Sequence, residues 1–457
     1  MKREEVKKLM YKRFIEPTKL RDVFAGVELE LPIVNLNKKA VDFKLVNELN
    51  VKFKNYFNFK IKAIDDNGGI CALEDPVTND IFTFDCSYNN LEISFGKEKN
   101  LYRVKERFEE YYKFIQDILN KENHTLTGFG VNPYRKYNKR LPIPNGRYRM
   151  LYHHLCSYQK YDEMSFHDMP EFGMFTSAAQ THIDVNFDNL IPAISAFSKL
   201  EPIKAILFSN SVLNGENMEL ACSRDMLWED SMHGYNKKNI GMFDTLPQSI
   251  EELLEYLLST SIYCTEQEGK YINFQPTIVT EFFKREKING EYFENGKYHK
   301  ITFKPKEEDF NYFRPFKFVD LTFRGTIEFR SVCCQPVNET MTTHAFHLGL
   351  INQIDKINQI LDDDTIFNKA YSITELRKIF IKTYLPEFVE KSELKKLLIK
   401  ILDLASESLK ERGNKEEKLL KPLYERAKSL ENPAQRLIKH LNSGGKIEEL
   451  IHEYGKL

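Results

Sequence analysis

The sequence has no run of about 18 apolar residues, so it predicts no membrane-spanning helix and no membrane partner. Its first residues, MKREEVKKLMYKRF, are charged and lack the apolar stretch of a secretory signal, which favours a cytoplasmic protein. Seven Cys occur without a CxxC pair or regular spacing. That pattern argues against a disulfide framework and against a structural zinc site.

An excess of charge of one sign is also missing. Lys and Arg together number 66 and Asp and Glu number 67, which gives a formal net charge of −1. Proteins that bind nucleic acid draw most of their affinity from positive charge, so no such partner is expected. Several enzyme motifs are absent as well, namely the GxxxxGK[ST] phosphate loop, GxGxxG at a helix start, GxSxG, HExxH and the kinase HRD and DFG sets.

Apolar residues make up 42% of the chain and aromatic residues 13%, which is ample for a sizeable core. Period-two alternation predicts strands at 24–35, 81–95 with a break at 87–90, 125–131, 176–186 and 321–332. Helical spacing predicts helices at 101–119, 190–211, 249–260 and 345–361, and a helical region from about 387 to 457. This mixture predicts an α+β fold with a large, mostly antiparallel sheet backed by helices.

Polar side chains share one face of several predicted strands. Glu28 and Glu30 are two residues apart, so their carboxylates point to the same side of a strand. The same alternation occurs at Glu92 with Ser94, at Gln180 with His182, and at Glu328 with Arg330. Neighbouring carboxylates repel unless a cation relieves them, and a donor set without thiolates suits Mg²⁺ or Mn²⁺. If the strands share one sheet, a metal site is predicted. A solvent-facing strand or a structural histidine explains any single motif.

Several arginines accompany these carboxylates. Arg147 lies in PNGRYRM, Arg224 in SRDMLW, and Arg324 and Arg330 flank Glu328. Guanidinium groups bind carboxylates and phosphates through paired hydrogen bonds. Arg330 shares a strand face with Glu328, so it is predicted to reach a phosphoryl group bound there. A surface ion pair is the alternative for each arginine.

Taken together and in this order, a set of segments resembles the glutamate–cysteine ligases, in particular their plant-type and proteobacterial branch. The segments are GVELE at 26–30, NNLEIS at 89–94, GFGVNP at 128–133, PNGRYRM at 144–150, TSAAQTHIDVNF at 176–187, ILFSNSVLNGE at 206–216, SRDMLWED at 223–230 and RGTIEFRSV at 324–332. Each motif is short, and the resemblance rests on their common order between about 20 and 340.

The resemblance implies a glutamine synthetase-like catalytic domain at 1–345, with a large curved sheet, followed by a helical region at 346–457. The implied ligands of Mg²⁺ or Mn²⁺ are Glu28, Glu30, Glu92, Gln180, His182 and Glu328, with Asp85 as a further candidate and the choice between Gln180 and His182 open. Arg330 and Glu328 are the implied catalytic residues, and Arg330 and Gln180 would contact the nucleotide. Arg147, Arg224, Trp228 and Tyr152 would form the amino-acid pocket.

The implied reaction joins glutamate to cysteine through γ-glutamyl phosphate, with ATP as co-substrate, in a monomer or homodimer. One alternative is a ligase that joins glutamate or another acid to a different amine. A second is a phosphotransferase of the guanidino-kinase type, which has the same catalytic fold. A non-catalytic binding protein is disfavoured, because it would not need Glu28, Glu30, Glu92, Glu328 and Arg330 together.

Overall fold

The computed structural model describes residues 1–18, 23–161, 163–216, 218–367 and 371–457. Its strands are β1 (Ala25–Asn35), β2 (Lys60–Ile64), β3 (Ile70–Glu74), β4 (Ile81–Phe84), β5 (Asn90–Glu98), β6 (His124–Leu126), β7 (Ala179–Asp184), β8 (Ile240–Gly241), β9 (Ser261–Gln267), β10 (Lys270–Ile278), β11 (Ile288–Glu294), β12 (Lys297–Phe303), β13 (Phe316–Lys317), β14 (Val319–Leu321) and β15 (Thr326–Phe329).

The described α-helices are α1 (Arg3–Met10), α2 (Phe43–Phe57), α3 (Leu101–Lys121), α4 (Gly146–Cys156), α5 (Phe187–Lys199), α6 (Glu201–Phe208), α7 (Ser223–Glu229), α8 (Ile250–Leu258), α9 (Val279–Lys284), α10 (Met341–Leu350), α11 (Ile354–Asp362), α12 (Ile373–Phe380), α13 (Lys391–Glu411), α14 (Lys421–Ser429), α15 (Pro433–Asn442) and α16 (Ile447–Tyr454). Within the described ranges, no helix combines the length and the apolar character needed to cross a membrane.

The main sheet contains nine of the described strands, in the order β14–β15–β7–β1–β5–β4–β3–β2, with β6 paired to the end of β1. Its strand pairs are antiparallel. In β1 the side chains of Val27, Leu29 and Leu31 are at most 2% exposed, because they face the core. The predicted α+β class, with a large and mostly antiparallel sheet backed by helices, is confirmed.

Helices cover the apolar face of this sheet. Thr181 of β7 hydrogen-bonds through Oγ1 to Nδ1 of His344 in α10 at 2.8 Å. Phe329 of β15 stacks on His347 of α10 at a centroid distance of 4.2 Å. Helices α13 and α14 pack in turn on α10, and one apolar core runs through all of these elements. The predicted division after residue 345 falls inside α10. The two-domain description stays a prediction, and both of its ranges include residues outside the described part of the chain.

The opposite face of the sheet is partly covered by α4. Tyr148 of α4 donates from its hydroxyl to the carbonyl oxygen of Phe84, at the end of β4, at 3.0 Å. On its other side, Asn273 of β10 donates to the carbonyl oxygen of Met150 at 2.8 Å. The four-stranded sheet β12–β11–β10–β9 therefore holds α4 against the polar face of the main sheet.

Two predicted elements are divided in the structure. Of the strand predicted at 321–332, Leu321 ends β14 and Thr326–Phe329 forms β15, because Gly325 turns the chain between the two strands with φ +73°. The helix predicted at 190–211 is two helices, α5 and α6. Pro202 stands in the first turn of α6, a position where a missing backbone N–H costs little, and a new helix begins there.

Two further predictions are wrong in extent. The strand predicted at 125–131 stops at Leu126, and beyond it the chain packs so closely on Gln335 that a Cβ atom at Gly128 would lie 2.1 Å from the Gln335 carbonyl oxygen. The helix predicted at 345–361 is divided into α10 and α11 by a 3₁₀ turn at Ile351–Gln353. The apolar periodicity of a segment carries no information about such close packing between distant parts of the chain, so the sequence could not predict it.

Candidate active site

Strand pairing brings most of the predicted polar residues into one row across the main sheet. Glu28 of β1 lies opposite Ser94 of β5 and Gln180 of β7, while Glu30 lies opposite Glu92. Nε2 of Gln180 donates to Glu28 at 2.6 Å and to Glu30 at 2.9 Å. On the β5 side, Oγ of Ser94 donates to Glu92 at 3.1 Å. We call these residues and their continuation in β15 the carboxylate row.

The carboxylate row continues from β7 into β15. His182 lies directly opposite Glu328. Nε2 of His182 is 3.9 Å from a carboxylate oxygen of Glu28 and 4.0 Å from one of Glu328. Arg330, two residues further along the chain, donates from Nη1 to Glu328. Four neighbouring strands, β15, β7, β1 and β5, therefore present acidic, imidazole and amide groups on one face.

One end of the row is crowded with carboxylates. Burial, followed by the charges of Asp85 and Glu28, raises the pKa of Glu30 to about 8. Burial and the neighbouring carboxylates raise the pKa of Glu92 well above its usual value. Burial is also the main reason why the pKa of Asp85 is raised. Carboxylates in such a place keep protons or take up a cation. Asp85, which directly follows β4 and lies within the segment predicted as a strand at 81–95, joins the site.

The other end of the row is rich in arginine. Burial alone would raise the pKa of Glu328, but Arg330, His182 and Arg324 outweigh burial and bring that pKa below its usual value. Arg314 adds to the same effect, although sequence analysis did not single it out. Its only sequence signal was its position shortly before β14, in a segment without a recognisable motif.

The two predicted carboxylate-binding arginines lie on helices over the row. Arg147, in the first turn of α4, is close enough to Asp85 and Glu92 for their charges to raise its pKa. Arg224 of α7 is 7% exposed. Its charge partly opposes the rise in the pKa of Glu30 that burial and the neighbouring carboxylates cause. Nη1 of Arg224 donates to a backbone oxygen at 3.3 Å, and its Nε has no hydrogen-bond partner among the described residues.

The two predicted aromatic residues of the amino-acid pocket differ in place. Trp228 stacks on His233 at 5.1 Å and contacts Phe316 at 5.5 Å, and Arg330 lies over the ring of Phe316 at 5.6 Å. The ring of Phe316 therefore lies between Trp228 and Arg330, the last residue of the carboxylate row. Tyr152 packs instead on an apolar cluster that contains Cys86, the neighbour of Asp85 in the chain. A separate groove of about 930 Å³ between α2 and α3 contains none of the predicted site residues.

The chemistry of the donor groups fits a hard divalent cation. Oε1 of Gln180 is buried and has no hydrogen-bond partner among the described residues. A free carbonyl oxygen beside several carboxylates is the donor set that Mg²⁺ and Mn²⁺ prefer. Within the described ranges, however, no three His, Cys, Asp or Glu side chains already surround one point at metal-binding spacing. Gln180 and Arg330 hold the carboxylates of Glu28, Glu30 and Glu328, so these groups must turn to share an ion.

The sequence is similar to that of a known protein family. The profile of the glutamate-cysteine ligase family 2 matches residues 53–453, a range that begins after Glu28 and Glu30. The chloroplastic glutamate–cysteine ligase of Medicago truncatula is 24% identical over 349 residues, which cover 72% of this chain and 61% of that protein. The Arabidopsis thaliana enzyme of the same name is 22% identical over 342 residues, which cover 71% and 60%. The chain thus spans about three fifths of the length of these relatives.

A solved structure is similar in fold. The glutamate–cysteine ligase of Francisella tularensis, determined in complex with AMP, superposes with a TM-score of 0.54 over 96% of this chain and 88% of that one. The two sequences are 12% identical, so this likeness establishes the fold alone. The sequence profile covers most of the chain, including β5, β7, β15 and the helices that carry Arg147 and Arg224. The chain therefore belongs to the glutamate–cysteine ligase family 2.

Proposed function

We propose that this protein is an ATP-dependent ligase that forms γ-glutamylcysteine from glutamate and cysteine. The observation that carries the proposal is the carboxylate row, in which one end is crowded with acids and the other ends in Arg330. Membership of the family supports the same conclusion. In the proposed reaction, the γ-carboxylate of glutamate attacks the γ-phosphorus of ATP and ADP leaves. The amine of cysteine then attacks the acyl carbon, and phosphate leaves.

Mg²⁺ or Mn²⁺ would be held by carboxylate and amide oxygens of the row. The proposed ligands are Glu28, Glu30, Glu92, Glu328 and either Gln180 or His182, with Asp85 beside them. When bound there, a divalent cation would supply positive charge to the phosphate oxygens of the nucleotide. The free Oε1 of Gln180 favours this residue over His182. Arg324 lies 3.3 Å from Nδ1 of His182 and can only donate, which places the proton of the neutral ring on Nε2, the nitrogen that faces Glu28 and Glu328.

The arginines supply the positive charge that the protein itself contributes. Arg330 would turn from Glu328 to the transferred phosphoryl group and stabilise its spread negative charge. Arg147 and Arg224 would bind amino-acid carboxylates through their paired N–H groups. The rings of Trp228 and Phe316, which contact each other next to Arg330, would exclude water and so protect the acyl phosphate from hydrolysis.

The proposal is tested by measuring phosphate and ADP release from ATP, Mg²⁺ and glutamate, with each of the twenty amino acids and simple amines offered in turn. Cysteine is expected to give the fastest release and a dipeptide of matching mass. Fast release with another amine would assign the chain to a different ligase reaction. ADP formation without free phosphate would identify a phosphotransferase, and no turnover with any acceptor would refute an enzymatic role.

A further inference from the structure

A buried cluster of four charges connects the carboxy-terminal helices to α7. Arg377 of α12 donates from Nε and Nη2 to the carboxylate of Asp225 in α7, at 2.7 and 3.1 Å. Its Nη1 donates to the side chain and to the backbone oxygen of Glu201 in α6, both at 2.7 Å. Lys204 donates to the other oxygen of Glu201 at 2.5 Å. The four residues are at most 5% exposed, so two acids and two bases neutralise each other out of contact with water.

The charge cluster also contacts the strands that end the carboxylate row. Nζ of Lys204 lies 5.5 Å from the ring centre of Phe329, the residue after Glu328 in β15. The guanidinium of Arg377 lies 4.6 Å from the ring centre of Phe318, next to β14. A bidentate pair between guanidinium and carboxylate fixes direction as well as distance. The cluster therefore determines how α7 is turned relative to the sheet.

The backbone makes a second connection at the same place. The segment just before α7 pairs with the segment just after α12. The amide of Ala221 donates to Ile381 at 2.7 Å, and the amide of Thr383 donates to Glu219 at 2.8 Å. The start of α7 is thus fixed by backbone hydrogen bonds, and Asp225, in its first turn, by Arg377.

Helix α7 carries Arg224 and, one turn later, Trp228, both predicted to contact substrate. Asp225 stands between them in sequence and points to Arg377 rather than to the carboxylate row. We propose that Arg377 is a positioning residue that orients Arg224 and Trp228 toward the carboxylate row. The role given to Arg224 rests on the proposed function, whereas the orientation of α7 does not. On this view the carboxy-terminal helices complete the substrate site.

The chain offers a direct probe, because Trp228 is its only tryptophan. Arg377→Lys keeps the positive charge but cannot form the paired hydrogen bonds to Asp225. We expect the acrylamide quenching constant of Trp228 fluorescence to rise about twofold in this variant. The KM for glutamate is expected to rise about tenfold while kcat changes less than about twofold, because Arg224 and Trp228 are proposed to bind the substrate in its ground and transition states alike. Circular dichroism sets the temperature at which every variant is folded.

Arg426→Lys is the matched control. Arg426 of α14 is also buried, at 4% exposure, and it donates to the backbone oxygen of Leu207 at 2.8 Å and to Gln335 at 2.6 Å. It pairs with Glu339, and none of its described hydrogen bonds reaches α7. Arg426→Lys is therefore expected to lower stability to a similar degree, with Trp228 quenching and the KM for glutamate at wild-type values.

Unchanged quenching in folded Arg377→Lys would overturn the proposal. Equal changes in Arg377→Lys and Arg426→Lys would also overturn it, because they would reflect a general loss of stability. A wild-type protein without glutamate-dependent phosphate release would refute the ligase function instead. In that case the quenching of Trp228 still decides whether Arg377 positions α7, so the two failures are distinguishable.

Discussion

The two ends of the carboxylate row contain the same kind of side chain in opposite electrostatic surroundings. Glu30 and Glu92 lie among other acids, and burial raises their pKa values. Glu328 is also buried, yet Arg330 and its neighbours bring its pKa below the usual value. Burial alone therefore does not determine the charge of these groups. The acidic end is suited to receive a cation and the arginine end to receive an anion, as the proposed binding of metal-bound ATP requires.

The largest loss of activity is expected from substitutions at the arginine end of the carboxylate row. Arg330→Ala removes the fixed positive charge nearest to Glu328, so kcat should fall about 10²- to 10³-fold, as for loss of one preorganised donor. Glu328→Ala should have an effect of similar size. Phosphate release at saturating substrates measures both. Arg103→Ala, on the exposed side of α3, is the control and should retain normal turnover. A nearly normal rate in Arg330→Ala would remove this residue from the mechanism.

At the acidic end, Glu92→Gln is expected to change two properties in opposite directions, the affinity for the cation and the stability of the metal-free fold. Loss of this carboxylate should weaken the apparent affinity for Mg²⁺ about 100-fold, measured as the Mg²⁺ dependence of turnover. Because burial, followed by the charges of Glu28, Asp85 and Glu30, disfavours the ionised form of Glu92, the same change should stabilise the metal-free protein in thermal unfolding with EDTA. Glu98→Gln, further along β5, is the matched control. A destabilised Glu92→Gln protein would contradict the proposed repulsion.

The raised pKa of Glu30 predicts a pH effect of definite sign. Its pKa of about 8 in the folded state exceeds the ordinary 4.5, so the stabilising contribution of the protonated group is complete below pH 4.5 and is lost as the pH rises through 8. Glu30→Gln cannot undergo this loss. In EDTA, its stability relative to the wild type should therefore grow by about 3 to 4 kcal/mol between about pH 5 and pH 8. Mg²⁺ binds the ionised form, so adding it should shrink the difference. A difference independent of pH would contradict the assignment.

The smallest effect is expected from Arg314, which contributes to the arginine end from outside the sheet. Arg314→Ala leaves Arg330 in place, so the KM for ATP should rise only about fivefold, the scale of a solvent-screened ion pair. Steady-state kinetics at varied ATP measures the change, with Lys304→Ala, an exposed residue of the same region, as the control. A loss as large as that of Arg330→Ala would mean that the two arginines act as one unit.

Much of the site could be predicted from alternation, because the residues of the row occur at strand positions with one apolar and one polar face. Glu28 with Glu30 and Gln180 with His182 are examples, and strand pairing places them side by side. Sequence analysis could not predict which strands are neighbours, because register depends on contacts between residues about 150 positions apart. Arg314 lies outside the regular strands, so no periodicity identified it, and Asp85, one residue past β4, was indicated by the family resemblance rather than by its strand face.

The fold was predictable to a similar degree and for a similar reason. The fold class and the main helices and strands follow from local sequence patterns. The interruptions within predicted elements follow from single residues such as Gly325 and Pro202. The buried pairing of Arg377 with Asp225 has no sequence signature, because two charged residues 152 positions apart look like ordinary surface residues. The link between the carboxy-terminal helices and α7 therefore becomes visible only in three dimensions.

The central place of β1 in the sheet also bears on how the chain is made. During synthesis, β1 and its neighbour β5 leave the ribosome before β7. Strand β7 pairs with the other edge of β1 and begins more than eighty residues after the end of β5. During that interval the edge of β1 that will pair with β7 is open. Inward-pointing charges on an open edge discourage association with other strands. Glu28 and Glu30 belong to this strand, so the same two acids that are proposed to bind the cation would also discourage pairing of the open edge with other strands.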